Sequence, residues 1–466
     1  MLFSSMTFIF IFLPLVCITY FLARNDIHNF LLLIASIVFY AWGEPNYLVI
    51  MLSTILINYW GARFLDTHRQ KAKLILTVTI LLDLSFLFYF KYFDFVIENI
   101  NYLTSANLPL HKIIMPIGIS FYTFQAISYL IDVYRKQIPA QKDIYKLALY
   151  IAFFPQLVAG PIVKYHDVAE QINHRSVTFE KVSLGIKRFI VGLAKKILIA
   201  NTMGAIADKI FIQPVEQFDT FVSWLGAIAY SLQLYYDFSG YSDMAIGLGL
   251  IFGFQFLENF NYPYISKSIT EFWRRWHISL STWFKEYLYI PLGGNRISVQ
   301  RTYINLFIVF LATGIWHGAS WNFVIWGLWH GAFIIFEKAS GWHKKLGNLR
   351  LNIAHHIYTI LVFVIGWVMF RADSMSYACD YIKNMFGFVE ATKEYYRLSY
   401  YVDRIELLTF IAAIICAMPL FSKILYISFS HKIKRAVINI WLAVLFILSV
   451  SSIAASTYNP FIYFRF

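Results

Sequence analysis

Three histidines stand in one stretch of an otherwise apolar chain. His277 follows Phe272-Trp273-Arg274-Arg275-Trp276, His317 lies in Trp316-His317-Gly318-Ala319, and His330 lies in Trp329-His330-Gly331. A neutral imidazole costs less to bury than a formal charge and can take a proton from an alcohol as a general base. An ionisable side chain at membrane depth points by default to function. His317 is the strongest candidate, set between the apolar runs 303–315 and 321–336 with Gly314 and Gly318 beside it. The competing reading is a core histidine bonded to a neighbouring carbonyl. His277 is expected on an amphipathic helix whose one face carries Trp273, His277, Leu280, Ser281 and Phe284, flanked by Arg274, Arg275 and Lys285. The plainer alternative is an interfacial helix anchored by Trp and Arg. His330 is a supporting candidate, or simply the mark of a helix end.

Two aspartates and a glycine pair complete the polar set. Asp237 and Asp243 lie six positions apart among Tyr235, Tyr236, Ser239, Tyr241 and Ser242. That spacing is not one face of a straight helix, so they are not read as an acid–base pair, and Gly240 is expected to break the helix between them. A carboxylate here either orients a histidine or lines a polar passage, or it forms a buried ion pair with Arg274 or Arg275. The turn Gly293-Gly294-Asn295-Arg296, with Arg274, Arg275 and Lys285 near it in sequence, either cradles phosphates or is a plain turn. Neither a P-loop nor a dinucleotide fingerprint is present. There is no zinc spacing and no nucleophile elbow, so no metal is expected.

The elements that position these residues follow from composition. Of 466 residues, 59% are hydrophobic and only 14% charged, with a mean hydropathy of +0.59. Soluble domains carry about 25% charged residues, so this chain belongs in a bilayer. The net charge of +13 is that of cytoplasmic loops meeting anionic lipid, and no basic motif for nucleic acid accompanies it. Cys17, Cys379 and Cys416 show no paired spacing and read as small hydrophobes. The N-terminus has no basic region before its apolar run and no cleavage pattern after it, and is expected as a retained first spanning helix.

Segments of about 20 apolar residues span a bilayer, and counting them gives about 10 to 12. Pro155, Gly160 and Pro161 predict a broken or re-entrant helix over 153–161. The run 182–200, with Lys187, Arg188, Lys195 and Lys196, is expected along the cytoplasmic interface before it enters the membrane. The basic segments 63–73, 338–350 and 431–435 should face the cytoplasm, which places both termini outside. No repeat or soluble segment interrupts the pattern, so residues 1–466 are expected as one polytopic all-α domain, with its catalytic core at about 110–340.

At this point the residues resemble a known family. The run Phe272-Trp273-Arg274-Arg275-Trp276-His277-Ile278-Ser279-Leu280-Ser281-Thr282-Trp283, the run Tyr287-Leu288-Tyr289-Ile290-Pro291-Leu292-Gly293-Gly294-Asn295-Arg296, and Trp316-His317-Gly318-Ala319 look like the membrane-bound O-acyltransferase family, in its bacterial alginate O-acetyltransferase branch. Phe153-Phe154-Pro155-Gln156-Leu157-Val158-Ala159-Gly160-Pro161-Ile162, Tyr236-Asp237-Phe238-Ser239-Gly240-Tyr241-Ser242-Asp243-Met244-Ala245 and Asn459-Pro460-Phe461-Ile462-Tyr463 resemble further blocks of that branch. The resemblance implies about eleven transmembrane helices, with re-entrant and interfacial pieces, around a central tunnel. It implies acetyl-CoA as cytoplasmic acyl donor and an exported glycan as acceptor. The family's near-invariant histidine falls on His317 as general base, and its second polar position falls on His277, which would bind the thioester carbonyl or orient His317.

Arg274, Arg275, Lys285 and Arg296 would then face the phosphates of coenzyme A, with Asp237, Asp243 and His330 in support. An acetyl-histidine or a relay would use the same residues. Members of this branch work with an extracytoplasmic SGNH-hydrolase-like acetyltransferase, for which the outward tail is a docking element. The expected location is the bacterial cytoplasmic membrane. The rival function classes are a transporter or flippase of polar cargo, whose usual internal repeats are not seen, and a scaffold for the soluble acetyltransferase.

Overall fold

An apolar segment in lipid has to satisfy its backbone hydrogen bonds within itself, which leaves the helix as the default element. The computed structural model describes residues 1–158, 160–342, 349–389, 396, 398–420, 431–456, 458–460 and 462, and among these every regular element is helical. In order they are α1 (Leu13–Leu22), α2 (His28–Gly43), α3 (Leu48–Thr67), α4 (Ala72–Leu87), α5 (Phe93–Thr104), α6 (Ile119–Tyr134), α7 (Ile144–Ala152), α8 (Phe154–Leu157), α9 (Tyr165–Asn173), α10 (Phe179–Ala194) and α11 (Asn201–Phe211). There follow α12 (Thr220–Ile251), α13 (Ile269–Arg275), α14 (Ile278–Phe284), α15 (Val299–His317), α16 (Trp321–Ser340), α17 (Leu349–Arg371), α18 (Met375–Met385), α19 (Leu398–Tyr401), α20 (Arg404–Cys416) and α21 (His431–Ala455).

Six helical stretches are long and apolar enough to cross a membrane among the described residues: Asn25–Gly43, Leu48–Thr67, Arg69–Thr104, Phe179–Phe211, Asn352–Arg371 and Arg435–Ala455. Several turn apolar side chains outward, as α21 does with Ile440, Trp441, Ile447 and Leu448. Lipid tolerates such a face, water does not. The site-bearing α12, α15 and α16 are not among the six. They carry buried polar groups such as Asp237, Asn305, His317 and Glu337, which lower their hydropathy without exposing a charge to lipid.

The chain packs as two compact units, residues 1–189 with 241–257, and residues 190–240 with 258–466; α10 and α12 run through both. In the first unit Phe3, Phe8, Phe12, Phe39 and Phe154 form an aromatic cluster with centroids about 5 to 6.5 Å apart. Helix α7 breaks at Phe153 (ψ 113°) and α8 restarts at Phe154, with Pro155 in its first turn. The expected break over 153–161 is therefore present, although Ala159 lies outside the described residues. Ser36 steadies it by accepting the Phe154 N–H at 3.1 Å.

The run 182–200 lies within one continuous helical stretch, Phe179–Phe211, made of α10, a π-helical turn (Lys195–Ala200) and α11. Of its four cations, Arg188 is compensated internally by Asp243 at 2.8 Å and Lys196 by Asp237 at 2.6 Å. One local expectation is corrected: Gly240 does not break α12, which continues from Thr220 to Ile251. Its missing side chain instead admits a neighbour, because a Cβ there would lie 2.8 Å from the Gly192 carbonyl oxygen. Residues 343–348 of the basic segment 338–350, and Phe461 and Tyr463 of the tail, lie outside the described residues.

Candidate active site

The site is assembled in the second unit around a close crossing of α15 and α16. A Cβ on Gly314 would lie 2.5 Å from the Phe323 carbonyl oxygen, and one on Gly327 would lie 2.4 Å from that of Phe310. Only glycine lets the two backbones approach so closely, the usual device between helices in lipid. One turn after Gly314, α15 ends at His317, and Gly318 turns the chain into the extended conformation (φ −167°). His317 is thus fixed at a helix terminus. It is only 8% exposed, and it is walled by Trp316 and Trp326, each at 4.9 Å between ring centroids, and by Phe370 at 5.4 Å.

The expected amphipathic helix through His277 is broken at that residue. Helix α13 stops at Arg275, His277 adopts the left-handed conformation (φ 42°, ψ 56°), and α14 begins at Ile278. Trp273 and Phe284 therefore do not share one continuous helical face with His277. The physical cause lies in the segment before α13. The Asn261 N–H donates to the Arg275 carbonyl at 2.9 Å, and the Ile278 N–H donates to the Asn259 carbonyl at 3.0 Å. These bonds span the break and take up groups that a straight helix would have used itself. A non-glycine residue with positive φ costs of order 1 kcal/mol and collects at functional sites.

His277 is fully buried. Its Nδ1 lies 3.3 Å from Asn259 Oδ1, and its Nε2 has no hydrogen-bond partner among the described residues. Phe238 meets its ring edge-on at 4.5 Å, and Trp316 stands against both it and His317, at 6.2 and 4.9 Å.

His330 is buried among Phe272, Trp273, Trp326 and Trp367, at 5.2 to 6.2 Å, with both ring nitrogens unpartnered. The three histidines are consequently joined through tryptophan, His277 to Trp316 to His317 to Trp326 to His330. Below His330 on the same face of α16, the buried Glu337 accepts from Ile269 N, from Thr270 N at 2.9 Å and from Thr270 Oγ1 at 2.6 Å. It thereby takes up the orphan amides at the start of α13.

The cations divide. Arg274 and Lys285 are exposed and line a cavity of about 390 Å³ whose other walls include Trp273, Ile278, Leu280, Phe310 and Thr313. Arg275 instead pairs with Glu271 at 2.9 Å and donates to the Asn261 carbonyl. Arg296 is exposed away from that cavity. The Gly293–Gly294 turn has positive φ at both glycines, and Asn305 donates to the Gly294 carbonyl at 2.9 Å. Asp237 does not meet Arg274 or Arg275. It pairs with Lys196 and accepts the Ile462 N–H at 3.0 Å, while Lys196 also donates to the Pro460 carbonyl. Asp243, held by Arg188 in the first unit, is an ion-pair partner there.

A second, more polar cavity of about 210 Å³ is lined by Asp208, Gln233, Arg371, Asp373 and the tail residues Pro460 and Ile462. Phe370 borders both this cavity and His317. Asn259 and Glu337 were missed from sequence, and Lys196 was read there only as an interfacial cation. Glu337 carried a signal, as an acid seven positions after His330 in an apolar run.

With this geometry in place, comparison with known proteins becomes decisive: the sequence profile of the membrane-bound O-acyltransferase family matches residues 38–379. The chain belongs to the membrane-bound O-acyltransferase family. It is 48% identical to the probable alginate O-acetylase AlgI of Pseudomonas aeruginosa over 397 residues, which cover 83% of this chain and 75% of that one. It is 41% identical to the probable alginate O-acetylase AlgI of Pseudomonas putida over the full length of both. It is also 36% identical to a peptidoglycan O-acetyltransferase of Helicobacter pylori, over 83% of this chain and 80% of that one. The protein is therefore a multi-pass membrane O-acyltransferase of the alginate O-acetyltransferase-like branch. As such an acyltransferase it has to remove one proton from an acceptor hydroxyl, and the buried imidazoles described above are groups able to do so.

Proposed function

We propose that this O-acyltransferase takes acetyl from cytoplasmic acetyl-CoA and passes it across the bacterial cytoplasmic membrane for O-acetylation of an exported polysaccharide. Both termini face outward in this reading, and an extracytoplasmic SGNH-hydrolase-like acetyltransferase completes the transfer. The names of the relatives support a cell-envelope glycan as acceptor, whether alginate or peptidoglycan. The observation that carries the reading is the apolar cavity with Arg274 and Lys285 on its wall. Its walls include Trp273 and Arg274 of α13 and Phe310 and Thr313 of α15, the two helices that precede His277 and His317 in the chain, although neither histidine lines it. Cations and an apolar channel suit a ligand with phosphates at one end and a pantetheine arm at the other.

The acid–base work falls to the two histidines. The hydroxyl oxygen bonds to the acetyl carbon as the C–S bond opens, and the hydroxyl proton passes to imidazole and is returned to the departing sulfur. Purified protein in nanodiscs with radiolabelled acetyl-CoA, the soluble acetyltransferase and a glycan acceptor tests this. Wild type should release free coenzyme A and label the acceptor, while His317→Ala should lose at least about 10²-fold in turnover. Full transfer by His317→Ala would overturn the assignment, and the same donor supplied as acyl phosphate would expose a different donor class.

A further inference from the structure

Asn259 decides which way His277 works. Its Oδ1 receives the Ser279 backbone N–H at 3.1 Å, the Ser279 hydroxyl at 3.0 Å and His277 Nδ1 at 3.3 Å. A backbone N–H can only donate, so the atom facing it has to be the amide oxygen and not the NH₂ group. An oxygen held in that orientation offers His277 Nδ1 lone pairs alone. Nδ1–H satisfies this oxygen, whereas the opposite tautomer would set two lone pairs against each other and leave Nδ1 only the Ser279 hydroxyl at 3.5 Å, which already donates to Asn259 at 3.0 Å. The same bond fixes the ring's direction, as a partner on one imidazole nitrogen commonly does for the other.

We infer that Asn259 holds His277 as the Nδ1–H tautomer, so that its buried, unpartnered Nε2 is a proton acceptor that shares the acid–base work with His317. This rests on the acetyl-transfer reading above and deepens it. A thioester carbonyl is itself an acceptor, so neutral His277 cannot steady it, and the oxyanion must draw its donor from elsewhere. Nor does Nε2 orient His317 by a hydrogen bond, since it has no partner among the described residues and Trp316 stands against both rings. What remains is an imidazole lone pair, in place before substrate arrives. As the hydroxyl oxygen bonds to the acetyl carbon, its proton passes to the pair His277 and His317, in which Nε2 of His277 is a lone pair already in place. The C–S bond opens, the proton is delivered to the sulfur, and both histidines end the cycle neutral. Asn259 is accordingly a positioning residue that acts through His277.

The test uses the full chain in nanodiscs, labelled with ¹⁵N-histidine, and solid-state NMR of the imidazole nitrogens. The His277 resonances are assigned by their loss in His277→Gln. The expected spectrum at neutral pH has Nδ1 protonated and Nε2 unprotonated, and a protonated Nε2 in wild type overturns the inference without any activity measurement. Asn259→Leu removes the accepting oxygen and should mix the tautomers, lowering kcat about 10²-fold with the KM for acetyl-CoA within about threefold of wild type. Asn259→Asp keeps an oxygen in place and should retain the Nδ1–H signature and at least about a tenth of wild-type kcat. Unchanged kcat in Asn259→Leu would refute the proposal. Failure of wild type to use acetyl-CoA at all would sink the functional reading but leave the tautomer to be read from the spectrum.

Discussion

Gly314 and Gly327 meet backbone to backbone, and a Cβ added to Gly327 would stand 2.9 Å from the Gly314 Cα. This contact sets how far α15 lies from α16, and with it the place of His317 between Trp316 and Trp326. Gly327→Val should therefore separate the helices at the turn that precedes the histidine. Overpacking of this kind costs about 1 to 3 kcal/mol, so the protein should still insert but melt earlier in detergent. Turnover should fall by more than the loss of folded protein explains. Wild-type turnover per folded molecule in Gly327→Val would show that the crossing does not set the geometry of His317.

Glu337 and Arg274 sit at opposite ends of α13, one buried beneath its first turn and the other on the cavity wall. Glu337→Ala strips acceptors from two backbone amides, each of which costs about 1 to 3 kcal/mol when left unpaired and buried. The helix should tilt and carry Arg274 with it. Arg274→Ala is expected to raise the KM for acetyl-CoA about tenfold, the worth of one hydrogen bond to a charged group. Glu337→Ala should raise it too, with less effect on kcat, and the double variant should do little more than either single one. Additive effects on KM would show that Glu337 does not work through Arg274.

How much of this was legible in the sequence depends on which physics wrote it. Apolar runs at about 20 residues announced the helices, because lipid permits little else, and Pro155 announced the break at Phe153. His317 stood out as a titratable residue between two glycines in an apolar setting. The break at His277 was not legible, because Trp273, His277 and Phe284 keep helical spacing. The helix yields there to hydrogen bonds from Asn259 and Asn261, residues outside the pattern. Gly240 misled for a related reason. In water a mid-helix glycine weakens a helix, but here it makes room for the Gly192 carbonyl. The partners of Asp237 were equally hidden, since Lys196 and Ile462 are far away in sequence and only packing brings them together.

Lys196 and Asp237 form an ion pair with both side chains almost fully inside the protein, 4% and 2% exposed. The pair also secures the Pro460 carbonyl and the Ile462 amide. Removing one partner of a buried pair leaves a naked charge and costs about 3 to 5 kcal/mol, whereas replacing both with apolar groups is often nearly neutral. Lys196→Met and Asp237→Leu should each destabilise strongly, and the double variant should recover most of the loss in a detergent melting assay. Limited proteolysis reports on the tail separately, and cleavage near residue 460 should quicken in all three variants. A double variant as unstable as the sum of the singles would mean the charges do more than neutralise each other.

His166 offers a pH test away from the reaction. Its Nδ1 lies 2.9 Å from Asp132 Oδ2 and its Nε2 lies 3.1 Å from Asp167 Oδ1. The hydrogen bond to Asp132, followed by that to Asp167, pushes its pKa up to about 9, against about 6.5 in an unfolded chain. A pKa raised by folding means that the native state holds the proton more tightly. The stabilisation is then complete below about pH 6.5 and fades as pH climbs through 9. Because the ring is about a third exposed, solvent screens part of the gain. The melting temperature of wild type minus that of His166→Gln should be positive and constant near pH 6, shrink between 7 and 9, and vanish by about pH 10. The subtraction cancels other titrating groups that the substitution does not touch. A difference that stays flat across this range would show that folding does not raise the His166 pKa and that the two aspartates do not hold its charge.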